Sequence, residues 1–125
     1  MNSKIVLIFT ALIYGIFGAM WFIVPDAMGK YWSIAPGDNF TYVGHRYGAV
    51  LVALGVIAWL TQRTPNTQSR RALIIGIFVG TTLTVACSLY GALGLGLNAW
   101  PAFVTEFLLL LGYVWVLFIK PEPLV

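Results

Sequence analysis

The sequence predicts an all-α membrane protein, with four transmembrane helices in an up-down bundle and both termini in the cytoplasm. Hydrophobic residues make up 60% of the 125 residues, charged residues make up 9%, and the mean hydropathy is +0.90. A soluble domain of this size could not bury so much apolar surface. Because a spanning helix needs about 20 apolar residues, four helices fill nearly the whole chain as a single domain.

The first predicted helix covers residues 4–24 and ends before Pro25. Its apolar run is too long for a signal peptide, and no small-x-small cleavage site follows, so we expect a retained helix. Gly15, Gly18 and Ala19 form a patch of small residues that is suited to close contact with another helix.

The connection over residues 25–37 has two alternative interpretations. It could form a short helix that lies in the membrane interface, or it could be an irregular loop. In either case Tyr31 and Trp32 are expected to anchor it at headgroup level.

The second predicted helix covers residues 38–62 and contains an arginine inside an apolar run. If Asp38 caps the helix, Arg46 lies about 12 Å along the axis. That depth is below the headgroups, where a guanidinium normally has a partner. The only clearly polar run of the chain, residues 63–71, follows as an exposed loop.

The third predicted helix covers residues 72–95 and carries small side chains at every fourth position. These residues are Gly76, Gly80, Thr84 and Ser88. The spacing predicts close packing against a neighbouring helix, with a ligand groove along the same ridge as the alternative. Cys87, the single cysteine, is expected to be a buried structural thiol.

The fourth predicted helix covers residues 100–119. A glycine-rich turn precedes it, in which Asn98 is a candidate cap, and Pro101 suits the first helical turn. Lys120 and Pro121 end it.

The distribution of basic residues predicts the orientation. In this topology both termini and the second loop share one side, which carries Lys4, Arg63, Arg70, Arg71 and Lys120. The other side carries Lys30 with two aspartates. The positive-inside rule therefore places the termini in the cytoplasm of a multi-pass cell-membrane protein, with Trp21 and Trp32 at the outer interface.

Arg46 and Glu106 are the predicted polar core. Glu106 follows Asn98 by eight residues, as Arg46 follows Asp38, so the two charges reach the same depth from the same side. Such a pair would offset the cost of burying either charge, and removing one partner should destabilise the fold by several kcal/mol. His45 lies about 100° away around the helix, and Tyr47 and Tyr90 are further candidate members of this site.

Three roles for this pair stay open. It could only fix helix register, it could bind the polar head of a lipid, a quinone or another small molecule, or Glu106 and His45 could act in acid–base catalysis. One histidine and one cysteine do not build a zinc or haem site, so no metal is predicted. The few scattered charges, mostly at helix ends, argue against nucleic acid as a partner.

The sequence also resembles the DoxX-like small bacterial membrane proteins. The matching residues are Pro25, the motif Gly44-His-Arg46-Tyr-Gly48, the pair Arg70-Arg71, and Glu106. This resemblance implies a four-helix bundle in a bacterial inner membrane, with Arg46 and Glu106 as its polar core. The family name is associated with quinone-linked sulfur oxidation; His45 is a departure from the family pattern.

The sequence supports two functions as expectations. The first is an accessory or structural subunit, without catalytic activity of its own, of a larger membrane complex or a homo-oligomer in the lipid bilayer. The second is a binding protein or enzyme for a hydrophobic ligand, with a quinone or a lipid as the candidate and no other cofactor. The second function requires a cavity beside Glu106 that opens to the membrane or to the outer side.

Overall fold

The chain folds into four long helices and one short helix. The computed structural model describes residues 2–125. The helices are α1 (Ser3–Ile23), α2 (Pro25–Tyr31), α3 (Asp38–Thr61), α4 (Gln68–Gly94) and α5 (Trp100–Val114), and a π-helical turn (Trp115–Ile119) extends the last one. Four of these segments are long and apolar enough to cross a membrane. The predicted all-α class with four candidate spans is therefore confirmed.

The helix bounds differ most from the prediction at the start of α4. The helix begins at Gln68, four residues before the predicted position 72, because the Thr67 side chain accepts a hydrogen bond from the Arg70 backbone N–H. Arg70 therefore lies in the first turn of α4 and not in a loop. At the start of α3 the cap position is Gly37, so Asp38 is the first helical residue instead of the expected cap.

The connection between α1 and α3 is helical in its first half, as α2, and not an irregular loop throughout; its place in the membrane interface stays a prediction. Asn98 is not a cap; its Nδ2 donates to the Tyr31 carbonyl at 3.0 Å, and its backbone N–H donates to the Trp32 carbonyl at 3.1 Å. The turn between α4 and α5 is thereby tied to the end of α2.

The closest helix pair is α1 and α3, which meet through glycines. A Cβ added at Gly48 would lie 2.3 Å from the Phe22 backbone nitrogen and 2.6 Å from the Gly18 carbonyl oxygen. A Cβ at Gly55 would lie 2.9 Å from the Gly15 nitrogen. The two backbones are therefore in direct contact, as expected for small residues at a membrane-helix interface.

The small-residue ridge of α4 differs from its predicted role. Among the described residues, no atom outside the adjoining backbone of α4 lies within 4 Å of a Cβ added at Gly76 or Gly80. Each step of four residues advances about 40° beyond a full helical turn, so the ridge rotates around α4. Its Gly76 end consequently faces outward, whereas Ser88 at the other end is buried.

The bundle consists of two packed pairs, α1 with α3 and α4 with α5. The contacts between the pairs are fewer, and they include hydrogen bonds through the middle of the bundle. The Tyr14 hydroxyl of α1 reaches the Thr81 and Thr84 hydroxyls of α4, at 3.1 and 3.2 Å. Tyr113 of α5 is hydrogen-bonded to Thr10 of α1.

A polar cluster joins the segments at the end of the bundle where α1 begins and α5 ends. The Ser3 backbone N–H and hydroxyl each donate to the Glu122 carboxylate at 2.7 Å. Arg70 donates to the Ser3 hydroxyl at 2.8 Å and to the Thr64 carbonyl at 3.1 Å. The start of the first helix and the end of the last helix therefore lie on the same side of the bundle; the side of the membrane that they face stays a prediction.

Candidate ligand-binding site

The expected Arg46–Glu106 ion pair is not present among residues 2–125. Arg46 is exposed on α3, where its Nη1 donates to the Tyr42 hydroxyl at 3.3 Å. Glu106 on α5 is only 6% exposed and accepts a hydrogen bond from Ser88 of α4. The two residues are not partners, because α4 and α1, and not α3, are the helices that pack beside α5.

Glu106 has hydroxyl groups as its polar surroundings. The Ser88 hydroxyl donates to Glu106 Oε2 at 2.8 Å, and Thr84 lies one helical turn before Ser88 on α4. Within the described part of the chain, no lysine, arginine or histidine forms an ion pair with it. The carboxyl group is therefore buried in an apolar bundle without a cationic partner.

A small cavity lies beside Glu106. Its volume is about 10 Å³, which is room for about one water molecule. Much of its wall is aromatic, and the ring of Trp21 packs edge-on against Trp32 and Tyr47, with centroids 5.6 and 5.5 Å away. The lining residues are Ile13, Tyr14, Phe17, Trp21, Trp32, Tyr47, Leu51, Ala102, Thr105 and Glu106.

A wider groove between α3 and α4 shares three lining residues with this cavity. Trp21, Trp32 and Tyr47 line both spaces, and Thr84 and Ser88 contribute polar atoms to the groove. The groove has a volume of about 360 Å³ and is otherwise mostly apolar. A second apolar groove of about 510 Å³, between α1 and α5, shares Ile13 and Thr105 with the cavity. The cavity beside the carboxyl group thus shares lining residues with apolar grooves on two sides of the bundle.

The other residues of the predicted site are divided between different places. Tyr47 lines the cavity with Glu106, and Tyr90 is an exposed wall residue of the α3–α4 groove. His45 is not part of the site: its Nδ1–H donates to the Phe22 carbonyl near the end of α1. Cys87, expected to be buried, is exposed along the groove.

The contribution of α1 to the site was not predicted. Tyr14, Phe17 and Trp21 follow each other at spacings of three and four residues, which places them on one face of the helix. This spacing is visible in the sequence and could have identified the aromatic wall. Trp21 is 4% exposed, so it is a core residue and not the interface anchor that the sequence suggested.

Replacing Arg46 by alanine is expected to change the free energy of unfolding by no more than about 0.5 kcal/mol, because the side chain is exposed and holds no buried charge. Thermal unfolding in detergent measures this. A loss of several kcal/mol would instead restore the ion pair that the sequence suggested.

No protein-family model, curated protein or solved structure matches the chain. The DoxX-like resemblance therefore stays a prediction that rests on its short motif. A function for the protein has to be inferred from the geometry around Glu106.

Proposed function

We propose that this protein binds a membrane-soluble amphiphile of the quinone or lipid class. The polar end of the ligand lies beside Glu106 and Ser88, and its apolar chain lies in the groove between α3 and α4. The observation that carries this proposal is a buried carboxyl group, without a cationic partner in the described residues, next to a cavity that shares its walls with an apolar groove.

The physical cost of burying Glu106 supports a functional role. An ionisable group inside an apolar bundle is expensive, and its usual structural justification is a partner of opposite charge. Since Arg46 does not serve as that partner, fixing the register of the bundle no longer explains this carboxyl group. An apolar pocket of a few hundred Å³ with a few convergent polar groups is typical of small-molecule sites.

A second candidate function is that of an accessory subunit of a membrane complex, or of a homo-oligomer. It is favoured by the uncovered ridge at Gly76 and Gly80, which would allow another helix to approach closely. For either function we propose a bacterial inner membrane with both termini in the cytoplasm. No catalytic step is proposed.

The single cysteine allows the ligand proposal to be tested without engineering the groove. Cys87 is exposed along the groove, so a bound amphiphile should shield it from N-ethylmaleimide. The probes are decylubiquinone, 1-decanoylglycerol and decylamine. We expect a probe that binds the groove to slow the modification of Cys87 about tenfold when the probe is present at ten times its own Kd, because only protein with an empty groove reacts. Mass spectrometry of protein purified in dodecyl maltoside gives the modification rate.

The matched control moves the thiol by one residue. In the double variant Cys87→Ser/Ala86→Cys, the thiol is exposed on α4 at nearly the same depth but outside the groove lining. Its rate should not change with the same probes. Equal slowing of both thiols, or no slowing of Cys87 by any probe, would contradict the ligand proposal. A protein that co-purifies at fixed stoichiometry would then favour the accessory function.

A further inference from the structure

We propose that the polar end of the ligand is a primary ammonium group, so that the protein binds a long-chain aliphatic amine. This inference rests on the proposed function and specifies its ligand. It is carried by the hydrogen-bonding pattern around Glu106, by the charges near the groove, and by the size and composition of the cavity wall.

Three hydroxyl groups around the carboxyl have already committed their protons. Ser88 donates to Glu106, Thr84 donates to the Thr81 carbonyl at 2.9 Å, and Thr105 donates to the Pro101 carbonyl at 2.8 Å. What these groups offer a ligand is therefore mainly oxygen lone pairs. An ammonium group has three donors and no acceptor, whereas a quinone carbonyl has only acceptors, so the ammonium is the better complement.

The charges select the same ligand. An ammonium would supply the positive charge that Glu106 does not find in the described part of the chain, and a charge-assisted hydrogen bond is stronger than a neutral one. No lysine or arginine lines the cavity or the α3–α4 groove. A phospholipid phosphate would therefore lack a cation there, which favours a simple amine over an ethanolamine lipid.

The cavity wall and volume narrow the head group further. Aromatic rings attract cations, and Phe17, Trp21, Trp32 and Tyr47 line the cavity beside the carboxyl. A volume of about 10 Å³ admits a group about the size of one water molecule. A primary ammonium meets this limit and a trimethylammonium does not.

The test compares probes that share one chain and differ only in the head group. Protection of Cys87 from N-ethylmaleimide is measured at pH 7.5 with decylamine, 1-decanol and decyltrimethylammonium. We expect half-maximal protection by decylamine at about tenfold lower concentration than by the other two, because its ammonium makes charge-assisted hydrogen bonds in a space that fits it. Equal concentrations for all three would overturn the inference.

Two variants test which side chains recognise the head group of the ligand. Glu106→Gln keeps the size of the side chain and should remove the preference for decylamine over 1-decanol. Tyr47→Phe removes a hydroxyl that could donate to an acceptor ligand, so it should weaken protection by a quinone such as decylubiquinone. Tyr31→Phe removes an exposed hydroxyl outside the cavity and the groove, and as the control it should leave decylamine protection unchanged. If Glu106→Gln does not fold in detergent, the comparison of probes on the natural protein decides alone.

The outcomes separate the two proposals. Protection by decylubiquinone but not by decylamine, with loss of that protection in Tyr47→Phe, would overturn the amine and leave the amphiphile site standing. If no probe protects Cys87, both proposals fail. Strong protection by decylamine that persists in Glu106→Gln would contradict the role of the carboxyl group.

Discussion

Replacing Gly48 by alanine is expected to lower the free energy of unfolding by about 3 kcal/mol, at the upper end of what overpacking a tight interface costs. The added Cβ would lie 2.3 Å from the Phe22 nitrogen and 2.8 Å from its Cα, and 2.6 Å from the Gly18 oxygen. All three are backbone atoms, so no side chain can rotate away and the two helices must separate. Thermal unfolding of the purified protein in dodecyl maltoside, followed by far-UV circular dichroism, measures the loss.

Gly76→Ala is the matched control for this prediction. It makes the same chemical change in another spanning helix, at a position where nothing outside the adjoining backbone of α4 lies within 4 Å of the added Cβ among the described residues. We expect no loss of stability, and a gain of up to about 1 kcal/mol, because alanine favours a helix over glycine. Equal effects of the two substitutions would contradict the prediction, because they would show that the α1–α3 contact tolerates alanine as well as an open helix surface does.

Replacing Glu122 by alanine should have the second-largest effect, a loss of about 2 kcal/mol. The Glu122 carboxylate accepts two hydrogen bonds from Ser3, whose hydroxyl in turn accepts one from Arg70, which is only 8% exposed. Without Glu122 the buried guanidinium lacks the negative charge that this chain of hydrogen bonds supplies. The expected loss is smaller than the roughly 3–5 kcal/mol of a fully buried pair, because Glu122 itself is partly exposed.

A double variant tests this explanation. In Arg70→Met/Glu122→Ala the unbalanced charge is removed together with its partner, so stability should recover by at least about 1 kcal/mol relative to Glu122→Ala alone. Lys120→Ala, which removes an exposed charge from the same end of the chain, serves as the control. Strictly additive losses in the double variant would mean that Arg70 and Glu122 do not interact.

The fold class could be predicted because length and composition leave few alternatives to four apolar helices. Proline and glycine punctuation located three of the four long helices closely. The start of α4 was missed because the sequence from Gln68 to Arg71 is polar, which favours a loop, whereas the Thr67 cap extends the helix into it.

For the site, the sequence could predict only the position of each residue along its helix axis. Counting residues gave an expected depth for Glu106 and for Arg46, but it gave neither the rotation of each helix nor its neighbours. Those are set by the glycine contact between α1 and α3, which leaves Arg46 outside, and by the pairing of α4 with α5, which brings Ser88 to Glu106. Glu106 was therefore correctly expected to be buried, whereas its hydrogen-bond partner was not foreseen.

The division of the bundle into two tightly packed pairs affects how the protein can accommodate a guest molecule. Both grooves lie along the seams between the pairs, one between α3 and α4 and the other between α1 and α5. The contacts between the two pairs are expected to separate before the contacts within each pair do, because backbone contact makes α1 and α3 one rigid unit. A bound molecule should therefore move the α1–α3 pair away from the α4–α5 pair as a rigid body. The Tyr14–Thr81 and Thr10–Tyr113 hydrogen bonds connect the two pairs and limit this separation.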